Sequence, residues 1–174
     1  MALQKQTSKE YFKIITVVYF GLLTGQVIFA LITIFLHLRN LFTVQDVSEL
    51  KQVFFFIVPI VVLNGFFTGN LIYKFQLKKI KKLDNLISKM VQYKSAMIIR
   101  LAFIEGSSFF CIVVYLLTGD FIFIGSAALL ILYFITLNPT ADKISVELEL
   151  NPTEKFKIDN PDEIIAEFET NKFQ

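Results

Sequence analysis

The chain has almost none of the cysteine and histidine from which proteins build structural zinc sites and disulfide frameworks. Its 174 residues include one cysteine, one histidine and no tryptophan. Cys111 cannot form an intrachain disulfide, and His37 has no cysteine or histidine neighbour with which to share a zinc ion. Because Cys111 lies inside an apolar run, we expect it to be a small packing residue. No metal or other cofactor is predicted.

Motifs of the common enzyme classes are also missing from the sequence. We find no P-loop, no dinucleotide-binding glycine pattern, no nucleophile elbow and no HExxH. The lysines are not accompanied by a nucleic-acid recognition fold. We therefore predict a protein that is not an enzyme and does not bind nucleic acid.

Apolar residues are abundant, and they are collected into long runs. They make up 55% of the chain, Phe occurs 20 times and the mean hydropathy is +0.61. A helix needs about 20 apolar residues to cross a bilayer core. The sequence thus predicts an all-α membrane protein, a four-transmembrane-helix bundle of two helical hairpins, with Pro59 as a kink. Its spans are 14–36, 53–73, 95–117 and 121–137.

The distribution of lysine and arginine predicts the orientation of the spans. The connection 74–94 contains seven lysines, and Lys5, Lys9 and Lys13 precede the first span. The loop between the first two spans has only Arg39 and Lys51, and the loop between the last two has neither residue type. Since positive loops stay in the cytoplasm, both termini and the connection 74–94 are predicted to be cytoplasmic, at the inner (plasma) membrane.

The cytoplasmic connection 74–94 is predicted to be a basic helix, because its apolar residues recur at steps of three or four. Its lysines are expected to face either anionic lipid or the acidic tail of the chain. The candidates for this contact are Lys78, Lys79, Lys81 and Lys82.

The last segment, 138–174, is predicted to be a separate acidic cytoplasmic tail after a membrane domain of residues 1–137. Apolar residues alternate with polar ones from Ile144 to Leu150, which is a strand pattern. Asn151-Pro152-Thr153 would then turn the chain into a second strand, giving a small C-terminal β-hairpin. Asn160-Pro161 is typical of a helix start, so a short helix is expected to follow.

Several polar residues fall near the predicted membrane centre, and one of them is ionisable. Glu105 costs at least about 2.5–3.5 kcal/mol at that depth unless it finds a partner. The residues at similar depth are Asn64, Gln26, Thr24, Ser107 and Ser108. Two interpretations stay open. Glu105 is either a proton- or cation-responsive group of a translocation site, or a structural group bonded to Asn64 or Gln26.

Two further expectations concern packing. The pairs Gly21-xxx-Gly25 and Ala102-xxx-Gly106 predict close helix contacts, and they coincide when the chain is shifted by about 81 residues. This weak repeat is as well explained by chance as by duplication. Tyrosines near the span ends, including Tyr11, are expected in the headgroup layer.

Two helical hairpins with one intramembrane glutamate invite comparison with two transporter families. In the proteolipid ring subunits of rotary ATPases the acid lies on an even-numbered span, and in small multidrug-resistance transporters it lies on the first. Here Glu105 lies on the third span and glycines are few, so neither family is predicted. The abundance of Lys, Ile, Phe and Asn resembles that of bacterial membrane proteins from AT-rich genomes.

The function expected from these features is that of a non-enzymatic accessory, scaffold or assembly subunit acting through its cytoplasmic face. The partners expected are the lipid bilayer and, through the tail, either a second copy of the chain or a cytoplasmic protein. The alternative is a small oligomeric transporter or channel component that uses Glu105.

Overall fold

The computed structural model describes residues 2–41 and 48–170 of the chain, and within these it is mainly helical. Three long helices come first, followed by three shorter ones, and a strand lies near each end of the chain. The elements are β1 (Ala2–Thr7), α1 (Ser8–Leu38), α2 (Ser48–Ile80), α3 (Leu86–Thr118), α4 (Phe121–Ile135), α5 (Ala141–Glu147), α6 (Pro152–Asp159) and β2 (Ile164–Thr170).

The helices α1, α2 and α3 contain the first three predicted spans. They have 31, 33 and 33 residues, and each is long and apolar enough to cross a membrane. Pro59 lies inside α2 without ending it. The helix α4 has 15 residues, or about 22 Å at 1.5 Å per residue, which is shorter than a usual span. Three of the four predicted spans are therefore confirmed as helices with the length and composition of a membrane crossing.

The outward faces of these helices are strongly apolar. Phe56 is 76% exposed, Leu129 is 70% exposed and Val17 is 62% exposed. Soluble monomers rarely expose large continuous apolar surfaces, since water makes such exposure unfavourable. These faces therefore fit a lipid environment.

The chain divides into two compact units, to both of which the three long helices contribute. Unit 1 consists of residues 1–19, 72–99 and 138–174, and unit 2 consists of residues 20–71 and 100–137. In unit 1, the tail lies with the start of α1 and with the region where α2 ends and α3 begins. The predicted boundary after residue 137 stays a prediction.

The predicted C-terminal β-hairpin is wrong, because both of its strands are helices. Ile144 and Leu148, four residues apart, are buried on one face of α5 and its C-cap, while Val146 between them is 77% exposed. Thr140 caps α5 by accepting a hydrogen bond from the Lys143 N–H at 3.3 Å. A residue spacing of four suits a helix as well as a strand, and the cap decides between them.

The predicted turn of that hairpin is instead the beginning of α6. The Asn151 side chain accepts from the Glu154 N–H at 2.8 Å, and the Glu154 carboxylate accepts from the Asn151 N–H at 3.1 Å. With Pro152 at the first helical position, this is a complete capping box.

The helix predicted after Asn160 is also wrong, since residues 164–170 form strand β2. This strand pairs antiparallel with β1, with Lys5 opposite Glu167 and Gln6 opposite Ala166. Ile165 and Ala166 are fully buried. The partner strand lies at the other end of the chain, so no local pattern near residue 164 could predict the pairing.

The predicted basic helix over 74–94 is two helix ends joined by a turn. The helix α2 continues to Ile80, and α3 begins at Leu86. Asn85 helps to start α3, because its side chain accepts from the Ile87 N–H at 3.0 Å. Leu77 and Ile80 therefore belong to one helix, and Ile87 and Met90 belong to the next.

The tyrosines near the span ends are buried instead of lipid-facing. Tyr11, Tyr73 and Tyr93 are at most 4% exposed, and Tyr19 is 1% exposed. The Tyr11 hydroxyl donates to the Met90 carbonyl at 2.8 Å. A buried phenol needs such a partner for its hydroxyl, so these tyrosines organise the packing of unit 1.

Candidate functional site

Glu105 is half-buried in unit 2, and it has no bonded partner in the part of the chain that the structure describes. No hydrogen bond joins it to Asn64 or Gln26. Asn64 is exposed, and its side-chain oxygen accepts from the Thr68 hydroxyl at 3.3 Å. Gln26 is fully buried and donates to the Leu22 carbonyl of its own helix at 3.4 Å. The structure thus does not bring together the predicted Glu105 partners.

Two other members of the predicted polar set carry buried atoms without a partner. The side-chain oxygen of Gln26 and the hydroxyl of Ser108 are both buried and unbonded among the described residues. Thr24, by contrast, is exposed on α1. A buried polar atom without a hydrogen bond costs about 1–3 kcal/mol, so the unbonded oxygens of Gln26 and Ser108 do not stabilise the fold.

Ser107 is a predicted site residue that lies at a contact between two helices. Its hydroxyl is 3.1 Å from the carbonyl oxygens of both Val61 and Phe103. Gly65 lies directly against it: a Cβ placed on Gly65 would sit 2.8 Å from the Phe103 oxygen and would also overlap the Ser107 side chain. Only glycine allows α2 and α3 to approach this closely.

The close helix contact therefore uses a different glycine pair from the one predicted. Gly69, four residues after Gly65, also faces α3, with its Cβ position 3.0 Å from Phe103. The Cβ positions of Gly21, Gly25 and Gly106 have no atom within 4 Å. The prediction that these three glycines pack against another helix of the chain is thus wrong for the described residues.

Beside this contact, α2 and α3 leave a cavity of about 370 Å³. It is mainly apolar, and Asn64 and Ser107 are its polar lining residues. The other lining residues are Ile60, Val61, Gly65, Ala102, Phe103 and Gly106. Glu105 is not part of the lining, so the cavity and the carboxylate do not form one site.

A hydrogen-bonded chain of polar side chains lies elsewhere in unit 2. Arg100 donates to the Tyr133 hydroxyl at 3.1 Å, and that hydroxyl donates to the Asn70 side chain at 2.8 Å. Asn70 in turn donates to the Phe66 carbonyl at 2.7 Å. This chain joins α2, α3 and α4 and gives the Arg100 guanidinium a polar neighbour.

The first turn of α2 is joined to the connection between α3 and α4 by an ion pair. The Lys51 ammonium lies 2.7 Å from the Asp120 carboxylate, which also accepts from the Ile122 N–H as the N-cap of α4. The hydrogen bond from Lys51 and the one from Ile122 lower the pKa of the Asp120 carboxyl below its usual range. Nearby, Gly119 has a φ of 67°, and a Cβ there would overlap the His37 ring.

A second polar cluster lies in unit 1, where the tail meets the long helices. Tyr73 of α2 and Tyr93 of α3 both donate to the same carboxylate oxygen of Glu147, at 2.5 and 2.8 Å. The two rings lie edge to face, with centroids 6.2 Å apart. Glu147 thus fixes the end of α5 between the two helices.

A buried ion pair holds the next tail helix. The Lys89 ammonium lies 2.7 Å from the Glu154 carboxylate, and the two side chains are only 10% and 12% exposed. Glu154 is also the third residue of the α6 capping box, so both of its oxygens are bonded. Removing one partner of such a pair leaves an uncompensated buried charge.

Among the four lysines predicted to face lipid or tail, only Lys81 contacts the tail. Its ammonium lies 2.6 Å from the Glu149 carboxylate. Lys78, Lys79 and Lys82 are exposed and make no ion pair with any described residue. Sequence reasoning did not single out Lys89, because nothing in its local pattern distinguishes it from the other lysines.

Gly65, Gly69 and Glu147 were not among the predicted site residues. Gly65-xxx-Gly69 has the same spacing as the predicted pair Gly21-xxx-Gly25, so the sequence contained the pattern that indicates this contact. The partners of Glu147 lie 74 and 54 residues away along the chain. Contacts at such separations follow from the tertiary fold alone.

No group of three or more His, Cys, Asp or Glu side chains within residues 2–41 and 48–170 is placed to hold a metal ion. Comparison with protein-family models, curated proteins and solved structures finds no match.

Proposed function

We propose that this chain is a four-span protein of the inner (plasma) membrane and serves as a non-enzymatic accessory, scaffold or assembly subunit. Both termini would lie in the cytoplasm, and the protein would act through the surface formed there by the tail.

The pairing of β1 with β2 supports an even number of spans. These strands come from the two ends of the chain and are bonded over residues 2–7 and 164–170. Two paired segments lie on the same side of a membrane, and an odd number of crossings would separate them. The helix α4 would then provide the fourth crossing, with the local bilayer thinning to match its 15 residues.

The lysine distribution supports a cytoplasmic location for that side. The contacts of Lys81 and Lys89 with tail acids place the lysine-rich connection beside the tail within unit 1. Positively charged loops are retained in the cytoplasm during insertion. The tail would therefore be cytoplasmic as well.

The observation that carries the scaffold proposal is the ordered docking of the tail, which still leaves apolar side chains uncovered. Glu147 and Glu154 anchor α5 and α6 through short, partly or fully buried bonds. On the same helices, Val146 is 77% exposed and Phe156 is 66% exposed. Exposed aromatic residues on a fixed support are typical anchors of protein interfaces. A tail that served only to cover the helix ends would not need exposed apolar side chains.

The test is to compare protein partners recovered with full-length variants solubilised from membranes. Phe156→Ser removes the exposed ring, and Asp159→Ser alters an exposed residue of the same helix as a matched control. We expect a stoichiometric soluble partner with the unaltered protein and with Asp159→Ser, and its loss with Phe156→Ser. Protease resistance of the tail should be equal in all three. Equal recovery with Phe156→Ser would contradict the proposal.

The second candidate is a small oligomeric transporter or channel component. The observation that favours it is Glu105, a half-buried carboxylate without a partner among the described residues. The expected alternative, a structural hydrogen bond to Asn64 or Gln26, is absent from the structure.

Proteoliposome flux distinguishes the two candidates. Glu105→Gln removes the titrating group, and Glu10→Gln makes the same chemical change outside the predicted spans. A pH-dependent flux that is lost with Glu105→Gln and kept with Glu10→Gln would establish the transporter and refute the scaffold. Absence of any flux, together with partner recovery, would do the reverse.

A further inference from the structure

The ends of α2 and α3 that belong to unit 1 enclose a groove of about 180 Å³. The cation of its lining, Lys79, is exposed and makes no ion pair with any described residue. The residues that line the groove are Gln76, Lys79, Ile80, Val91, Gln92, Ser95 and Ile99.

The lining of this groove combines polar and apolar side chains. Lys79, Gln76 and Gln92 supply an ammonium and two amides, and none of these three groups has a hydrogen-bond partner among the described residues. Ile80 is buried at the floor, and Ile99 is 37% exposed. Ser95 and Ile99 lie at the start of the predicted span 95–117, so this part of the groove would border the proposed bilayer.

The electrostatics of the groove favour an anion. No acidic residue contributes to its lining. Two tail acids that are near the connection are already engaged, Glu149 by Lys81 and Glu154 by Lys89. The positive charge of Lys79 is therefore not neutralised by the tail.

We propose that this groove binds the phosphate-bearing headgroup of an anionic glycerophospholipid. Lys79 would pair with the phosphate, Gln76 and Gln92 would donate hydrogen bonds, and an acyl chain would pass along Ile99. The volume is below the roughly 300–1,000 Å³ of ordinary small-molecule sites, which suits a headgroup whose chains lie outside in the bilayer. The inference rests on the membrane orientation proposed above, but not on the scaffold role.

The experiment uses purified full-length protein in a neutral detergent, titrated with phosphatidylglycerol or phosphatidylcholine and monitored by native mass spectrometry and thermal stability. Lys79→Gln removes the groove cation. Lys82→Gln is the matched control, because Lys82 is also exposed and unpaired but lies outside the groove. Ser95→Phe fills the groove without changing the charge.

We expect phosphatidylglycerol to bind and stabilise more strongly than phosphatidylcholine. Lys79→Gln should weaken its binding about fivefold, the effect of one cation near a lipid surface, whereas Lys82→Gln should weaken it less than twofold. Ser95→Phe should remove the preference for phosphatidylglycerol while the melting temperature without lipid stays unchanged.

Three outcomes would overturn the proposal. Equal losses with Lys79→Gln and Lys82→Gln would indicate general surface attraction, and equal binding of both lipids would indicate no headgroup site. Stabilisation by glycerol phosphate equal to that by the lipid would indicate a soluble phosphate ligand. Because detergent solution has no sidedness and contains no partner, none of these results depends on the scaffold function, which the Phe156→Ser recovery measures separately.

Discussion

Replacing Gly65 by alanine tests the contact between α2 and α3 directly. The added Cβ would lie 2.8 Å from the Phe103 carbonyl oxygen and would overlap Ser107, whereas the Cβ of Gly21→Ala meets no atom within 4 Å. Both substitutions gain the same preference of alanine over glycine in a helix, so this effect cancels in the comparison.

The difference between the two variants should therefore equal the cost of overpacking. Inserting a methyl group into a packed contact typically costs about 1–3 kcal/mol. Because a backbone carbonyl cannot rotate away as a long side chain can, we expect Gly65→Ala to be less stable than Gly21→Ala by about 2 kcal/mol, within that range.

Reversible unfolding in mixed micelles, followed by far-ultraviolet circular dichroism, measures this difference. A second substitution, Ser107→Gly, should restore part of the stability of Gly65→Ala, because it removes the hydroxyl but leaves the Phe103 carbonyl. If Gly65→Ala and Gly21→Ala unfold alike, α2 and α3 are not packed as the structure places them.

Three further predictions concern the charged contacts. Glu147→Gln should lower the protease resistance of the tail at neutral pH, because an amide oxygen accepts the two tyrosine hydroxyls less strongly than a carboxylate does; unchanged cleavage rates would count against the docking. Lys89→Met should destabilise the protein by about 3–5 kcal/mol in chemical unfolding, since it leaves Glu154 charged and buried, and Lys89→Met with Glu154→Leu should recover most of the loss; no recovery would contradict the pairing. The lowered pKa of Asp120 means that its pairing with Lys51 stabilises the protein above the ordinary carboxyl pKa, near 4, and that this stabilisation is lost as the pH falls through the folded-state pKa. Melting temperatures of the unaltered protein and Asp120→Asn should thus differ slightly at pH 6 and converge by about pH 2, and a difference that grows on acidification would refute the sign.

The local elements that sequence reasoning missed had ambiguous patterns. Ile144 and Leu148 fit one face of a helix as well as one face of a strand, and Asn151-Pro152 fits a helix start as well as a turn. The capping box with Glu154 was the available signal for the helix. The alternation of Lys155 and Lys157 with Phe156 and Ile158 fits a strand as well.

The candidate site was predicted by depth in the membrane, and depth does not fix direction around a helix. Glu105, Asn64 and Gln26 lie at similar positions along their helices, yet no hydrogen bond joins them in the structure. Successive residues on a helix are rotated by about 100° around its axis. Two residues at the same depth on different helices therefore make contact only if each lies on the face that is turned toward the other helix.

The sequence alone determined the helical class and the three long apolar helices. These properties depend on composition and on run length, because a backbone in lipid must bond within its own segment. The tertiary structure decided three further features: the pairing of β1 with β2, the hydrogen bonds from Tyr73 and Tyr93 to Glu147, and the close contact of Gly65 with Ser107. Each of these joins residues more than forty positions apart, and such a pairing depends on how the helices pack, which no local pattern encodes.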